Sequence, residues 1–275
     1  FLREGTALED TLHPNKIVVG TKNPDTIEAI RSLFRGIDAP YIITSYEGAE
    51  LIKYASNAFL AMKISFVNEI ARICEAYGAS IKDVTQGIGT DPRIGQHFLG
   101  AGLGYGGSCL PKDVTALEHI ALRKGVIPMI LHAVKSINDS QIDQYVNKLK
   151  EEIGNLKGKQ ITVWGLSFKA HTDDVRSSPS LRLVEQLVDK NCYVHTYDPL
   201  AAQMDSLAAR YDDLYEALDG SDALIVATDW PQFIEADWEE VKLRMKGNLI
   251  LDARNCLEPS IIRSYGFRYT GVAVQ

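Results

Sequence analysis

From Glu47 to about Tyr77, apolar residues recur at three- and four-residue steps: Leu51, Ala55, Ala58, Phe59, Met62, Phe66, Ile70 and Ile73. That period puts them on one stripe of a long helix, and Gly78 is the expected stop. Ser80, with Asp83 three residues on, predicts a second, shorter helix over 81–87. After a glycine-dense loop over 87–110, helices are expected from about Pro111 to Lys124 and from Pro128 to about Ile153. The segment 46–153 therefore reads as an all-helical domain. It has apolar length to spare, which marks it as a platform for a homodimer through these central helices.

Both flanks have a different period. Upstream, Lys16–Gly20 and Tyr41–Thr44 are short strand candidates, and Asn23-Pro24-Asp25 opens a helix to about Phe34. Two strands and one helix cannot bury a core alone, so 1–45 reads as the end of an α/β domain. Gly154–Lys159 is a linker. Beyond it strands at 161–165, 193–197, 223–227 and 249–252 alternate with helices near 178–190, 200–209 and 258–264. Such alternation predicts a parallel sheet covered on both faces, with ligands at the carboxyl ends of the strands. The fold class is α/β: the tail of an α/β domain, a helical central domain, and a Rossmann-like parallel-sheet domain over 154–275.

Composition narrows the function. The chain has 275 residues, 45% of them hydrophobic, and a formal net charge of -7. That charge argues against a nucleic-acid coat or a basic membrane anchor, and no apolar run approaches the roughly 20 residues of a membrane span. The four cysteines (Cys74, Cys109, Cys192 and Cys256) form no C-x-x-C pair. They read as free thiols of a cytoplasmic protein rather than a disulfide frame or a metal site. The six histidines show no metal-ligand spacing.

The candidate chemistry centres on Gly104-Tyr105-Gly106-Gly107-Ser108-Cys109-Leu110-Pro111-Lys112-Asp113. Pro111 suits the first turn of a helix. Cys109 then stands just before a helix N-terminus, whose partial positive charge favours a thiolate, and Lys112 adds a cation. A lone cysteine is usually a structural thiol, but these flanks favour a nucleophile. Gly102–Gly107 matches G-x-G-x-x-G literally, yet it does not follow a strand, so the dinucleotide reading fails. Lys53 and Asn57, four residues apart, share a helix face; they are either solvated positions or a pair that holds an oxyanion in a cleft. Arg93 follows Asp91-Pro92 and reads by default as a surface arginine. Lys169 and Arg176 lie in the loop after the first strand of the last domain, ahead of Ser178-Pro179, a helix start; loop cations at a helix N-terminus can hold phosphate. Arg254 reaches the same sheet edge. Asp198 either accepts from a ribose hydroxyl or caps the next helix.

Together these stretches resemble the nucleotide-sugar 6-dehydrogenases, the UDP-glucose/GDP-mannose dehydrogenase family. The matching motifs are Phe1–Ala7, Lys53–Phe59, Asp91–Gly95, Gly104–Asp113, Gly165–Lys169 and Arg176–Pro179. The resemblance implies an NAD-dependent, four-electron oxidation of a sugar C6 alcohol, UDP-glucose becoming UDP-glucuronate. It implies that Cys109 forms a thiohemiacetal and then a thioester, that Lys53 and Asn57 steady oxygen charge, and that Asp113 serves the proton and water steps. It assigns Leu2, Arg3, Glu4, Lys53, Asn57, Gly100, Leu103, Gly104, Tyr105, Gly106, Lys169 and Arg254 to the substrate, Arg93 to the dimer partner's substrate, and Lys112 and Arg176 to the cofactor. The family's glycine-rich cofactor domain and a catalytic glutamate directly before Phe1 have no counterpart in this sequence. The chain is therefore expected to be a piece that folds but does not turn over alone. A GDP-mannose-type enzyme and a non-catalytic dimerisation and nucleotide-binding module are the alternatives.

Overall fold

The computed structural model describes residues 1–201 and 208–274. The first segment holds helix α1 (Ala7–Leu12), strand β1 (Ile17–Gly20), helix α2 (Pro24–Leu33) and strand β2 (Tyr41–Thr44), with β1 and β2 paired in parallel. Asn23 caps α2 by accepting from Asp25 N at 2.9 Å. Ile17 and Val19 are buried, whereas Ile42 and Ile43 on β2 stay exposed and α2 buries none of its residues. β1 leans on the next helix, which supplies the neighbour this small sheet needs.

That helix is α3 (Tyr46–Tyr77), followed by α4 (Ile81–Gly89), α5 (Leu110–Arg123), α6 (Met129–Asp139) and α7 (Gln141–Ile153). Ser45 caps α3 through Gly48 N, and Gly78 ends it at a left-handed φ of 67°. The single helix expected over 128–153 is two helices. The break at Ser140 has a local cause: Ser140 Oγ donates to Ile137 O at 2.9 Å, and Arg72 of α3 reaches Ile137 O, Ser140 Oγ and Gln141 Oε1. The carbonyls that end α6 are met by side chains instead of the next turn.

The last domain contains β3 (Gln160–Trp164), α8 (Pro179–Asp189), β4 (Tyr193–Tyr197), β5 (Ala209–Arg210), β6 (Ala223–Val226), α9 (Pro231–Ile234), α10 (Trp238–Arg244), β7 (Leu249–Asp252), α11 (Pro259–Ser264) and β8 (Arg268–Thr270). The strands form one parallel sheet in the order β5-β4-β3-β6-β7-β8. The sequence reading found β3, β4, β6 and β7 but not the short edge strands, nor α9 and α10. The helix expected near 200–209 falls mostly outside the described residues. Strand order reverses between β3 and β6, and the crevice there is where such sheets take ligands.

The sheet and the central helices share one core. Ile161, Val163, Ile225 and Leu251 on one sheet face pack in the same cluster as Val67 and Ala71 of α3 and Ile142, Tyr145, Val146 and Leu149 of α7. Burying a side chain of this size is worth about 2 kcal/mol, so this cluster fixes the last domain against the helices. The opposite sheet face carries Trp164, stacked on Phe233 at 5.3 Å, with Trp238 beside it.

Two buried aspartates set the carboxyl edge of the sheet. Asp198 accepts from Leu166 N, Ser167 N and Ser167 Oγ on one oxygen and from Leu200 N and Ala201 N on the other. It clamps its own loops and has little acceptor capacity left for a ribose hydroxyl; the helix it was read to cap falls mostly outside the described residues. Asp252 accepts from Arg254 N, Leu257 N and Tyr269 OH. Burial alone would raise the Asp198 pKa, but the N–H donors of Ser167, Ala201, Leu166 and Leu200 outweigh it and hold the carboxylate below its ordinary range. A depressed folded-state pKa contributes stability above the unfolded value of about 3.9, and loses it as pH falls through the folded value. Asp198→Asn is expected to cost about 2–3 kcal/mol near neutral pH. It should also flatten the acid limb of urea midpoint against pH below about pH 4; an unchanged acid limb would contradict this role.

Candidate active site

Cys109 is the N-cap of α5, with Pro111 in the first turn. It is exposed, while Cys74 and Cys192 are buried. One turn into α5, Asp113 is buried and its N–H donates to Cys109 O at 2.9 Å. Asp113 Oδ2 accepts from Asn57 Nδ2 at 2.6 Å, and Oδ1 accepts from Lys112 Nζ at 2.5 Å. The helix face that carries Lys53 and Asn57 thus meets the first turn of α5. Hydrogen bonding to Asp113 holds the Lys112 ammonium above its usual pKa, with Cys109 a smaller contributor. Lys53 Nζ lies 5.4 Å over the Phe1 ring, which Lys16 Nζ also approaches at 4.8 Å.

The sheet domain closes the other side. Arg176 forms a two-pronged pair with Asp174 at 2.8 Å through both Nε and Nη2, and approaches Glu4 at 3.8 Å. The Asp174 hydrogen bond is the main cause of its raised pKa, and Cys109 is near enough to add to it. Lys169 Nζ donates to Glu4 O at 2.7 Å. Glu4, Lys169, Ala170, His171, Asp229 and Arg254 line much of a cleft of about 290 Å³ beside this cluster. Arg254 touches Asp229 at 3.4 Å across it. His171 takes a left-handed φ of 62° and sets its ring edge-on to Trp230 at 5.2 Å. The cleft offers cations to an anionic ligand at the β3/β6 crevice.

The glycine-rich loop is a seam between domains. A Cβ on Gly106 would come within 2.5 Å of Ser177 O and 2.7 Å of Pro179 Cδ, and one on Gly107 would meet the Phe168 ring at 3.0 Å. Gly107 N donates to Arg176 O at 2.9 Å. Close approach is what these glycines allow. Leu103 and Tyr105 bury their side chains in core clusters, so what they can present to a ligand is main chain.

The structure brings Cys109, Lys112, Asp113, Asn57, Lys53, Glu4, Lys169, Arg176 and the Gly104–Gly106 backbone to one region, with Arg254 across the cleft. Gly100 is exposed just upstream. Three further predicted residues are Leu2, Arg3 and Arg93. Leu2 is exposed, and Arg3 pairs with Asp10 at 2.5 Å. Arg93 pairs with Asp91 in a loop whose Ile94 O is held by Lys63, about 9 Å along α3 from Asn57 at 1.5 Å per residue. Sequence reasoning passed over His171, Asp229 and Asn138. It also passed over Phe98, an exposed aromatic with a φ of 64°. None of them stands in a local pattern that a sequence would reveal.

Comparison with known proteins gives the family. Residues 47–140 match the central domain, and residues 162–259 the UDP binding domain, of the UDP-glucose/GDP-mannose dehydrogenase family. The chain belongs to that family. YtcA of Bacillus subtilis (strain 168) is 48% identical to it over 277 residues, 99% of this chain and 65% of the relative. A UDP-glucose 6-dehydrogenase of Rickettsia conorii is 40% identical over 280 residues, with the same coverages of 99% and 65%. A UDP-glucose dehydrogenase structure from Pyrobaculum islandicum superposes with a TM-score of 0.90 at 35% identity, over 100% of this chain and 62% of that one. The chain therefore spans just under two thirds of the length of these relatives.

The four thiols should differ in reactivity. Burial pushes Cys192 up to about 11, and burial, with Asp252 second, pushes Cys256 up further. Brief iodoacetamide treatment of the native protein is expected to modify one peptide, the one carrying Cys109, and Cys109→Ser should abolish the fast phase. Fast labelling at Cys256 instead would contradict the site as drawn.

Proposed function

We propose that this chain carries the nucleotide-sugar and nucleophile portion of an NAD-dependent enzyme that oxidises UDP-glucose to UDP-glucuronate. The observation that carries the reading is Cys109, exposed at the start of α5, with Asp113 behind it bonded to Asn57 and Lys112. Uridine is favoured over guanosine because 162–259 matches a UDP binding domain and the named relatives act on UDP-glucose.

Among the described residues, the turn after β3 provides no dinucleotide cradle. A Cβ on Gly165 would collide with the Thr228 side chain, and Asp198 is saturated. What this chain offers to NAD is a pair of cations with exposed side chains near Cys109, Arg176 and Lys112. NAD, when bound, accepts the hydrides that convert alcohol to aldehyde and thiohemiacetal to thioester.

The remaining roles belong to this chain. The Cys109 thiolate adds to the C6 aldehyde carbon, and the carbonyl oxygen takes up the charge. Lys53 and Asn57 are placed to stabilise that oxygen by preorganised charge and dipole. Asp113 fixes the Asn57 amide and accepts from the Lys112 ammonium, and it assists the water that cleaves the thioester. That cleavage breaks the C–S bond, releases the carboxylate and regenerates the thiol. Lys169 and Arg254 hold the diphosphate, Glu4 orders Lys169, and Arg93 serves the site of a partner subunit. Phe59, Phe66 and Ile73 stand seven residues apart and are exposed on α3, the apolar stripe that a homodimer would cover.

In the full-length protein, Cys109→Ser should lower kcat for NADH formation with UDP-glucose by about 1000-fold or more, since the nucleophile acts in the chemical step. The dissociation constant for UDP-glucose should stay within about threefold, and GDP-mannose should bind at least about tenfold more weakly. Turnover by the serine variant within about tenfold of wild type, or tighter binding of GDP-mannose, would sink this reading.

A further inference from the structure

Among the described residues, the hydrogen-bonding contact of the Cys109 sulfur is its neighbour Ser108 Oγ at 3.6 Å. Its position is therefore set by the backbone that leads to it. Three amide side chains grip that backbone. Asn68 Oδ1 of α3 accepts from Gly102 N at 2.8 Å, and Gln141 Nε2, at the start of α7, donates to Gly102 O at 2.8 Å. Asn138 of α6 accepts from Tyr105 N at 2.8 Å and donates to Tyr105 O at 3.3 Å. Satisfying both the N–H and the C=O of one residue does the work of a neighbouring strand.

Gly104 lies between the grips at a φ of 107°, and a Cβ there would come within 2.5 Å of Asn138 Oδ1. All three amides are buried. Buried amides cost free energy unless paired; both ends of the Asn138 and Gln141 amides are paired, whereas Asn68 Nδ2 has no partner among the described residues. The arrangement extends further back. Arg72 fixes Gln141 Oε1 and also holds Ser140 Oγ at 2.9 Å, the residue at which α6 breaks from α7. At the far end of the loop, Gly107 N is held by Arg176 O of the sheet domain.

We infer that Asn138 and Gln141 are positioning residues for Cys109, acting through the Gly102–Gly107 backbone to hold the sulfur at the end of α5 beside Lys112 and Arg176. The effect on turnover rests on the nucleophile reading above, whereas the effect on thiol reactivity does not.

The control is Ser65→Ala. It removes a buried bond of 2.8 Å to Val134 O between the same two helices, α3 and α6, without touching the loop. Asn138→Ala, Gln141→Ala and Ser65→Ala are all expected to lower the melting temperature by a few degrees. Only the two amide variants should slow alkylation of Cys109 by iodoacetamide, by about fivefold or more, because a misplacement of about 1 Å is costly. In the full-length protein the same two should lower kcat about 10–100-fold with KM within about threefold. Should Asn138→Ala fail to fold, Gln141→Ala decides. Alkylation within about twofold of wild type in the amide variants, or equal slowing by Ser65→Ala, would overturn the inference. Slowed alkylation with undiminished turnover would uphold the positioning and overturn the nucleophile role instead.

Discussion

The close contact between the Gly102–Gly107 loop and the β3 to α8 loop is the constraint on which the site depends. Glycines at 106 and 107 let the central domain's backbone touch Ser177, Pro179 and Phe168 of the sheet domain. The shared apolar cluster of α3, α7 and the sheet then holds the two domains in that relation. Without it Cys109 would remain a thiol at a helix start, and Lys169, Arg176 and Arg254 would remain cations at a sheet edge. Their chemistry arises from the register between domains, which neither domain sets alone.

Charge in the cleft is balanced within the protein. Glu4, Asp174 and Asp229 lie against Arg176 and Arg254, and the Glu4 carbonyl accepts from Lys169. Exposed pairs of this kind contribute little stability, but they keep the cations ordered at the β3/β6 crevice. A diphosphate entering there would displace weak carboxylate contacts rather than capture mobile side chains. Asp198 and Asp252, by contrast, are buried and committed to backbone donors, so they shape the edge without facing a ligand.

Much of the fold was legible in the sequence. The three-and-four spacing gave α3, the caps at Ser80 and Ser178 marked helix starts, and β7 fell at its predicted limits. The break at Ser140 was not legible, because the local bond from Ser140 to Ile137 O is reinforced by Arg72, far away in the chain. The edge strands β5 and β8 are too short to carry a period. For the site, the Cys109 motif and the Lys53–Asn57 spacing pointed to residues that the fold brings together. Asn138 and Gln141 look like ordinary polar positions on a helix, and only the folded chain turns them onto the loop. Arg3 pairs with Asp10, a contact the sequence pattern did not suggest.

The central claim is that Cys109 adds to a C6 aldehyde presented by a uridine diphosphate sugar bound between the two domains. Incubating the protein with the 6-aldehyde of UDP-glucose, without NAD, and then measuring iodoacetamide alkylation of Cys109 tests it directly. The account predicts saturable protection of Cys109 by the aldehyde that exceeds the protection by UDP-glucose at equal occupancy, because only the aldehyde forms a bond to sulfur. Equal protection by the two ligands, or aldehyde binding that leaves Cys109 as reactive as before, would contradict it.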